Sequence, residues 1–211
     1  MTLDIQDLGA GLDFEATWDH QEKLVAKRQA GEIGDTLLLL EHAPVYTIGR
    51  TRDQSSLNKA TQLPHPVVEI NRGGQGTYHG PGQLVAYAIL NLADYHKDLH
   101  RHLRNLEEAI IQTIADFGVK AERREGLTGV WVNSKKIASL GVGVRSWVTL
   151  HGLAFNIQKQ SLPQFKFITP CGINGVSMTC LESELGADVS MTAVKKILAA
   201  KYKAILSRER A

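Results

Sequence analysis

A chain of 211 residues with 43% hydrophobic content has enough apolar material for one large domain with a sizeable core, which excludes a disordered chain. Twenty-four Lys and Arg against 22 Asp and Glu leave a formal charge of +2, and no dense basic run interleaves with aromatics, so a nucleic-acid footprint is excluded. Two cysteines, Cys171 and Cys180, with no Cys-x-x-Cys between them exclude a disulfide framework and favour a reducing, cytoplasmic setting.

Met1 to Asp13 is acidic and has no basic segment followed by an apolar one, so no secretory signal is expected. Phe14 to Ala30 reads as a helix capped by Asp13 and ended by Gly31, with Trp18, Leu24 and Val25 on its apolar side. Thr36–Leu40 and Val45–Ile48 read as strands split at Pro44. The run Leu37–Leu40 is far short of the roughly 20 residues that a membrane span needs, so no membrane association is expected. Asp53 to Pro66 is polar with two prolines and predicts a surface loop. Val67–Ile70 is a short strand entering a glycine-rich segment, and Leu84–Leu90 a buried strand leaving it.

Leu99, Leu103, Leu106, Ile110, Ile111, Ile114 and Phe117 recur at spacings of three and four, an amphipathic helix that Gly118 ends. Val130–Val132 is a strand. Ile137–Val144, opened by Lys135 and Lys136, and Trp147–Ile157 form a hairpin through Arg145 and Ser146. Val194, Ile197, Leu198, Tyr202 and Ile205 mark a C-terminal helix. The helices do not alternate strictly with the strands. The expected fold class is therefore α+β, a single domain with a mixed β-sheet flanked by helices, and not a doubly wound fold. A division near Pro163–Lys166 would leave a C-terminal piece too small for its own core.

Arg72-Gly73-Gly74-Gln75-Gly76-Thr77-Tyr78-His79-Gly80-Pro81-Gly82-Gln83 carries the most information. Five glycines there let backbone N–H groups approach a ligand without a Cβ between them. The segment lacks the closing Gly-Lys-Ser/Thr of a phosphate loop. Its glycine spacing and following strand also fail the dinucleotide fingerprint.

Cys171 stands between Pro170 and Gly172, a setting that suits a reactive thiol on a turn; Cys180 reads as a small buried hydrophobe. A thiol needs a neighbouring cation or base to ionise at neutral pH. Candidates are His79, His151 and Lys136. His79 ends the glycine segment and is as suited to positioning substrate as to base catalysis. His151 lies in a strand-like run and suits a structural hydrogen bond. Lys136 opens an apolar strand, where desolvation lowers an ammonium pKa. Spacing alone does not join residue 136 to residue 171. His96 and His100 have helical spacing but no acidic residue placed as in a zinc protease, so these two and His102 read as surface histidines, with no metal site.

In order along the chain stand Glu41-His42-Ala43-Pro44-Val45-Tyr46-Thr47-Ile48-Gly49, the segment Arg72–Gln83, Lys136-Ile137-Ala138, His151-Gly152-Leu153-Ala154-Phe155-Asn156 and Thr169-Pro170-Cys171-Gly172. Together these blocks resemble the lipoyl(octanoyl) transferase family, which belongs with the biotin and lipoate protein ligases, from about Asp35 to the end. The resemblance implies transfer of an octanoyl group from octanoyl-acyl carrier protein to a lysine of lipoyl domains, those of the 2-oxoacid dehydrogenases and the glycine cleavage H protein, with no cofactor. It implies Cys171 as nucleophile and Lys136 as its activator. It implies that Arg72, Gly73, Gly74, Gln75, Gly76, Thr77, Tyr78 and His79, with Ser139, Leu140 and Gly141 and with Gly152, Leu153 and Ala154, hold the acyl chain. The alternative is an ATP-dependent lipoate-protein ligase of the same fold. Pro170-Cys171-Gly172 and the lack of a basic Gly-Arg-Gly-Arg-type adenylate loop argue against it. A papain-like hydrolase using Cys171 and His151 fails on the order of its partners, and a non-catalytic acyl-binding module would form no covalent adduct. Two departures stand out: Gly76 where the family commonly has a larger apolar residue, and Ala88 where it commonly has proline. The first predicts a change in acyl-chain preference or loop rigidity.

Overall fold

The computed structural model describes residues 3–50, 54–57, 63–172 and 175–209, with the backbone alone at Gln54, Ser55 and Cys171. Its elements run β1 (Asp4–Leu12), α1 (Phe14–Gln29), β2 (Thr36–His42), β3 (Val45–Ile48), β4 (Val67–Glu69), β5 (Thr77–His79), β6 (Gln83–Ile89), α2 (Leu99–Ala115), β7 (Val130–Val132), β8 (Lys135–Arg145), β9 (Val148–Asn156), α3 (Leu181–Leu185) and α4 (Met191–Glu209), with one-turn 3-10 segments between them. The larger sheet has the order β1-β2-β6-β9-β8-β7; β1 is parallel to β2 and the other neighbours are antiparallel. The smaller sheet has the order β4-β3-β5. This is the mixed α+β architecture that the sequence predicts.

The run Leu37–Leu40 shows how the large sheet is covered. Alternate side chains of a strand point to opposite faces. Leu37 and Leu39 pack with Leu106, Ile110 and Ile114 of α2 and with Leu198 and Tyr202 of α4. Leu38 and Leu40 pack on the other side with Leu24 and Val25 of α1. Both faces are buried, so the strand reads as an unbroken apolar run. Tyr46, Ile48, Leu57, Tyr78, Phe165 and Ile168 form a separate cluster against the small sheet. Among the described residues no helix is long and apolar enough to cross a membrane.

Helix α1 begins where expected. Asp13 is extended (φ −61°, ψ 136°), and its Oδ1 accepts from the Ala16 N–H at 2.8 Å. Gly31 (φ +74°) ends the helix in the left-handed region, with the Glu32 N–H donating back to the Lys27 carbonyl. Asp13→Ala is expected to cost about 1 kcal/mol of unfolding free energy, the usual worth of such a cap, read from urea titration at neutral pH.

Several expectations need correction. The sequence pattern does not mark β1, because its mostly exposed, glycine-interrupted sequence lacks a strand's apolar alternation. It holds the sheet edge by pairing with β2, and Lys195 of α4 bonds Asp7 at 2.6 Å. The pattern does not mark the short α3 and β5 either. Within the expected surface loop Asp53–Pro66, Gln54–Leu57 form a 3-10 turn with Ser56 and Leu57 buried; residues 53 and 58–62 lie outside the described residues. His102 is buried against Tyr202, although His96 and His100 are exposed. It follows Leu99 by three residues and precedes Leu106 by four, which places it on the inner face of α2. The β8–β9 hairpin turns on Ser146 and Trp147, both at positive φ (46° and 69°), so Trp147 belongs to the turn and not to the strand.

Candidate active site

The turn Asn133-Ser134 selects the lysine that faces inward. Both residues have positive φ (46° and 70°), and the two-residue loop joins the paired Val132 and Lys135. Strand alternation then turns Lys135 outward and Lys136 inward, where Lys136 is 1% exposed. The register that this turn sets places Lys136 opposite Trp131, and its ammonium lies 5.1 Å from the centre of the indole ring. Lys136 Nζ also donates to the Thr128 carbonyl at 3.1 Å.

This ammonium borders a cavity of about 220 Å³ between the two sheets. The small-sheet side supplies Arg72, Gly74, Gln75, Thr77 and His79; β8 supplies Ser139, Leu140 and Gly141; β9 supplies Gly152, Leu153 and Ala154. Tyr78 is turned away by strand alternation and packs with Tyr46 and Phe165. Gly73 does not line the cavity, but its N–H donates to the Val142 carbonyl at 3.2 Å and stitches the glycine segment to β8. Gly76 also faces elsewhere. Its N–H donates to Ser56 Oγ at 2.9 Å, and a Cβ on it would lie 2.7 Å from that oxygen. The space that Gly76 leaves is thus filled by the 54–57 turn and adds nothing to the cavity. Ala88 lies in β6 opposite Leu37 and does not line the cavity either.

The sequence did not single out Phe14, Ile70, Tyr87 or the loop Gly126–Thr128 as lining. The first three read as ordinary core residues. The loop is brought in by the Glu122–Trp131 pairing that closes residues 122–131 on themselves. No local motif marks such a closure.

Arg72 is 8% exposed and starts a directed hydrogen-bond chain. Its Nη2 donates to Thr47 Oγ1 at 2.9 Å, which frees the threonine hydrogen for His79 Nε2 at 3.4 Å. Gln83 uses its amide hydrogens on the Tyr78 carbonyl and Asn156 Oδ1, so its Oε1 accepts from His79 Nδ1 at 2.8 Å. Asn156 Nδ2 then donates to the Thr179 carbonyl, and the Thr179 N–H donates to the Lys136 carbonyl at 2.9 Å. These partners fix His79 as the neutral Nδ1–H tautomer. Burial, then the neighbouring His42, hold its imidazole well below the ordinary 6.5. Both ring nitrogens being engaged, His79 is built to position its neighbours.

His151 lines the cavity with φ +62° and its N–H bonded to Gln21 Oε1. Burial, with Arg72 next in effect, pushes its pKa down to about 3, so the ring is neutral at physiological pH. Its Nε2 is buried with no hydrogen-bond partner among the described residues.

Pro170–Gly172 is a 3-10 turn, with Gly172 at φ +68°. Cys171 lies in this turn, and its side chain falls outside the described part of the molecule. Two contacts locate the turn. A Cβ on Gly172 would collide with the Gln75 side chain, so the turn sits directly on a cavity-lining residue of the glycine segment. Five residues beyond the turn, the Ser177 carbonyl accepts from the Lys136 N–H at 2.8 Å. The fold thus brings the backbone that carries residue 171 against the glycine segment, and the segment after it against the strand that carries Lys136. Cys180 is fully buried, with Sγ 3.1 Å from Ser183 Oγ.

A chamber with apolar walls and cations at Lys136 and Arg72 can receive a chain and stabilise negative charge near its head. Comparison with known proteins agrees with the resemblance drawn from the sequence. Residues 13–203 match the family model described as the lipoyl protein ligase A/B catalytic domain. An octanoyltransferase of Geotalea uraniireducens (strain Rf4) is 48% identical over 205 residues, covering 97% of this chain and 93% of the relative. One from Geobacter metallireducens is 47% identical, covering 96% and 92%. A solved bipartite lipoate protein ligase from Thermoplasma acidophilum, studied with its E2 lipoyl domain, superposes with a TM-score of 0.72 at 16% identity, covering 98% of this chain and 84% of that one. At that identity the structural likeness concerns the fold.

Proposed function

Because the chain belongs to the lipoyl protein ligase A/B catalytic domain family, we propose that it transfers an octanoyl group from octanoyl-acyl carrier protein to a lysine of lipoyl domains, through a thioester on Cys171 with Lys136 as proton carrier. The acceptors are the lipoyl domains of 2-oxoacid dehydrogenases and the glycine cleavage H protein. The protein is an acyltransferase by its kinship with octanoyltransferases over nearly its whole length. One observation carries the chemical reading: a buried ammonium at the wall of an acyl-sized cavity, on a strand bonded to the segment that follows Cys171.

The reaction starts from the Cys171 thiolate and the Lys136 ammonium. The thiolate attacks the thioester carbonyl, a new C–S bond forms, and the carrier's C–S bond breaks. The departing sulfur takes a proton from Lys136. The acceptor lysine amine then attacks the enzyme thioester, the C–N bond forms, and the amine's surplus proton passes to the neutral Lys136 amine as the Cys171 thiolate leaves. The starting pair is restored, and amide formation from a thioester is downhill without ATP. The apolar tail is held between the glycine segment and β8–β9, at about 0.8 kcal/mol per buried methylene.

The test is intact-mass spectrometry after incubation with octanoyl-carrier in the absence of nucleotide, followed by addition of a lipoyl domain. A single octanoyl adduct should form and then move to the lipoyl domain. Transfer only when ATP is supplied would favour the ligase chemistry instead.

A further inference from the structure

The peptide joining Thr128 to Gly129 faces two partners at once. Its carbonyl accepts from Lys136 Nζ at 3.1 Å, and its N–H donates to Glu107 Oε1 at 2.9 Å. The C=O and N–H of a trans peptide point in opposite directions within one plane. Holding one end therefore aims the other. Glu107 belongs to α2 and is fully buried; its Oε2 accepts from Arg104 (2.6 Å) and Arg123 (3.1 Å), which keep the carboxylate in place from the surface side. Gly129 has φ +141°, a region open to glycine, and a Cβ there would lie 2.5 Å from Lys136 Cε. The lysine is thus packed directly on the peptide that Glu107 anchors.

We infer that Glu107 is a positioning residue for Lys136: it locks the 128–129 peptide so that the Thr128 carbonyl holds the ammonium at the cavity wall. This rests on the reading of Lys136 as the proton carrier for Cys171. The anchor acts through the reach and direction of Oε1, which the pairing of Oε2 with the two arginines keeps fixed. Rotation of an unanchored peptide would withdraw the carbonyl from Lys136 and turn an N–H toward a cation.

Two conservative variants test the anchor. Glu107→Asp keeps both acceptor oxygens and withdraws them by one methylene. Glu107→Gln keeps the length but has a single acceptor oxygen, which the Arg104 and Arg123 guanidiniums draw to their side, leaving an NH2 group toward the Gly129 N–H. Glu107→Asp should lose about tenfold or more in kcat with the KM for octanoyl-carrier little changed, as expected for a misplaced reacting group, and Glu107→Gln should lose kcat in the same way. Alkylation of Cys171 by iodoacetamide without substrate should slow in both. Full kcat in Glu107→Asp, or a loss confined to KM, would overturn the inference. Should Glu107→Asp not fold, a folded Glu107→Gln at full kcat overturns it alone. Lys136→Met is measured alongside. If that variant keeps its rate, the reading of Lys136 fails; if it is inactive while Glu107→Asp is unimpaired, only the positioning role fails.

Discussion

Octanoyl transfer is expected to fall by about two to four orders of magnitude in Lys136→Met, the usual worth of a positioned proton carrier, while Cys171→Ala should form no adduct at all. The two losses differ in kind. In the proposed mechanism only the Cys171 sulfur carries the acyl group. There, Lys136→Met leaves the thiol but removes the cation that favours its anion and the proton that the departing carrier sulfur takes. Methionine fills nearly the same volume beside Trp131, so the fold should survive. A buried charge is costly to desolvate, and removing it can leave stability unchanged or raised. Stopped-quench mass spectrometry resolves the acylation step, and thermal melting checks the fold. A labelled Cys171→Ala protein, or Lys136→Met at the parent rate, contradicts the mechanism.

A second large effect concerns acid. Burial pushes the His42 and His102 pKa values down to about 4, and that of His151 down to about 3. In the unfolded chain the same imidazoles titrate near 6.5. Between these limits the unfolded chain binds more protons, so acidification favours it. The stability owed to the neutral rings is complete above pH 6.5. It is lost as pH falls toward 4 for His42 and His102 and toward 3 for His151. At pH 4.5 the loss amounts to about 2 to 3 kcal/mol per histidine. Three such losses rival the 5 to 15 kcal/mol that typically separates folded from unfolded states. Unfolding free energies from urea titration should therefore drop steeply between pH 7 and 4.5. His102→Leu, distant from the cavity, should flatten the profile by one histidine's share. A profile level across this range would contradict the buried neutral assignment.

Both effects depend on buried polar groups, and these divide what was legible in the sequence from what was not. Apolar periodicity marked α1, α2, α4 and the central strands, because it records the faces that the core must cover. The same rule misread His102, whose inward position is plain only when it is counted with Leu99 and Leu106 on one helical face. β1 escaped because an edge strand is half solvated and its pairing belongs to β2. At the cavity, the glycine segment and the stretches 139–141 and 152–154 were visible through the family resemblance, and strand alternation explains why Tyr78 points away while Thr77 and His79 point in. The 126–128 loop and Glu107 were not visible. Their part arises from one peptide plane held between a helix and a strand, and spacing along the chain carries no trace of it.

The chamber's two walls belong to different sheets. Its calibre is therefore fixed by how closely the two sheets seat on each other, much as the bore of a split mould is fixed by its clamps. Fatty-chain selectivity in this enzyme becomes a property of the interior at large, open to adjustment by a methyl group added or removed well away from the sulfur.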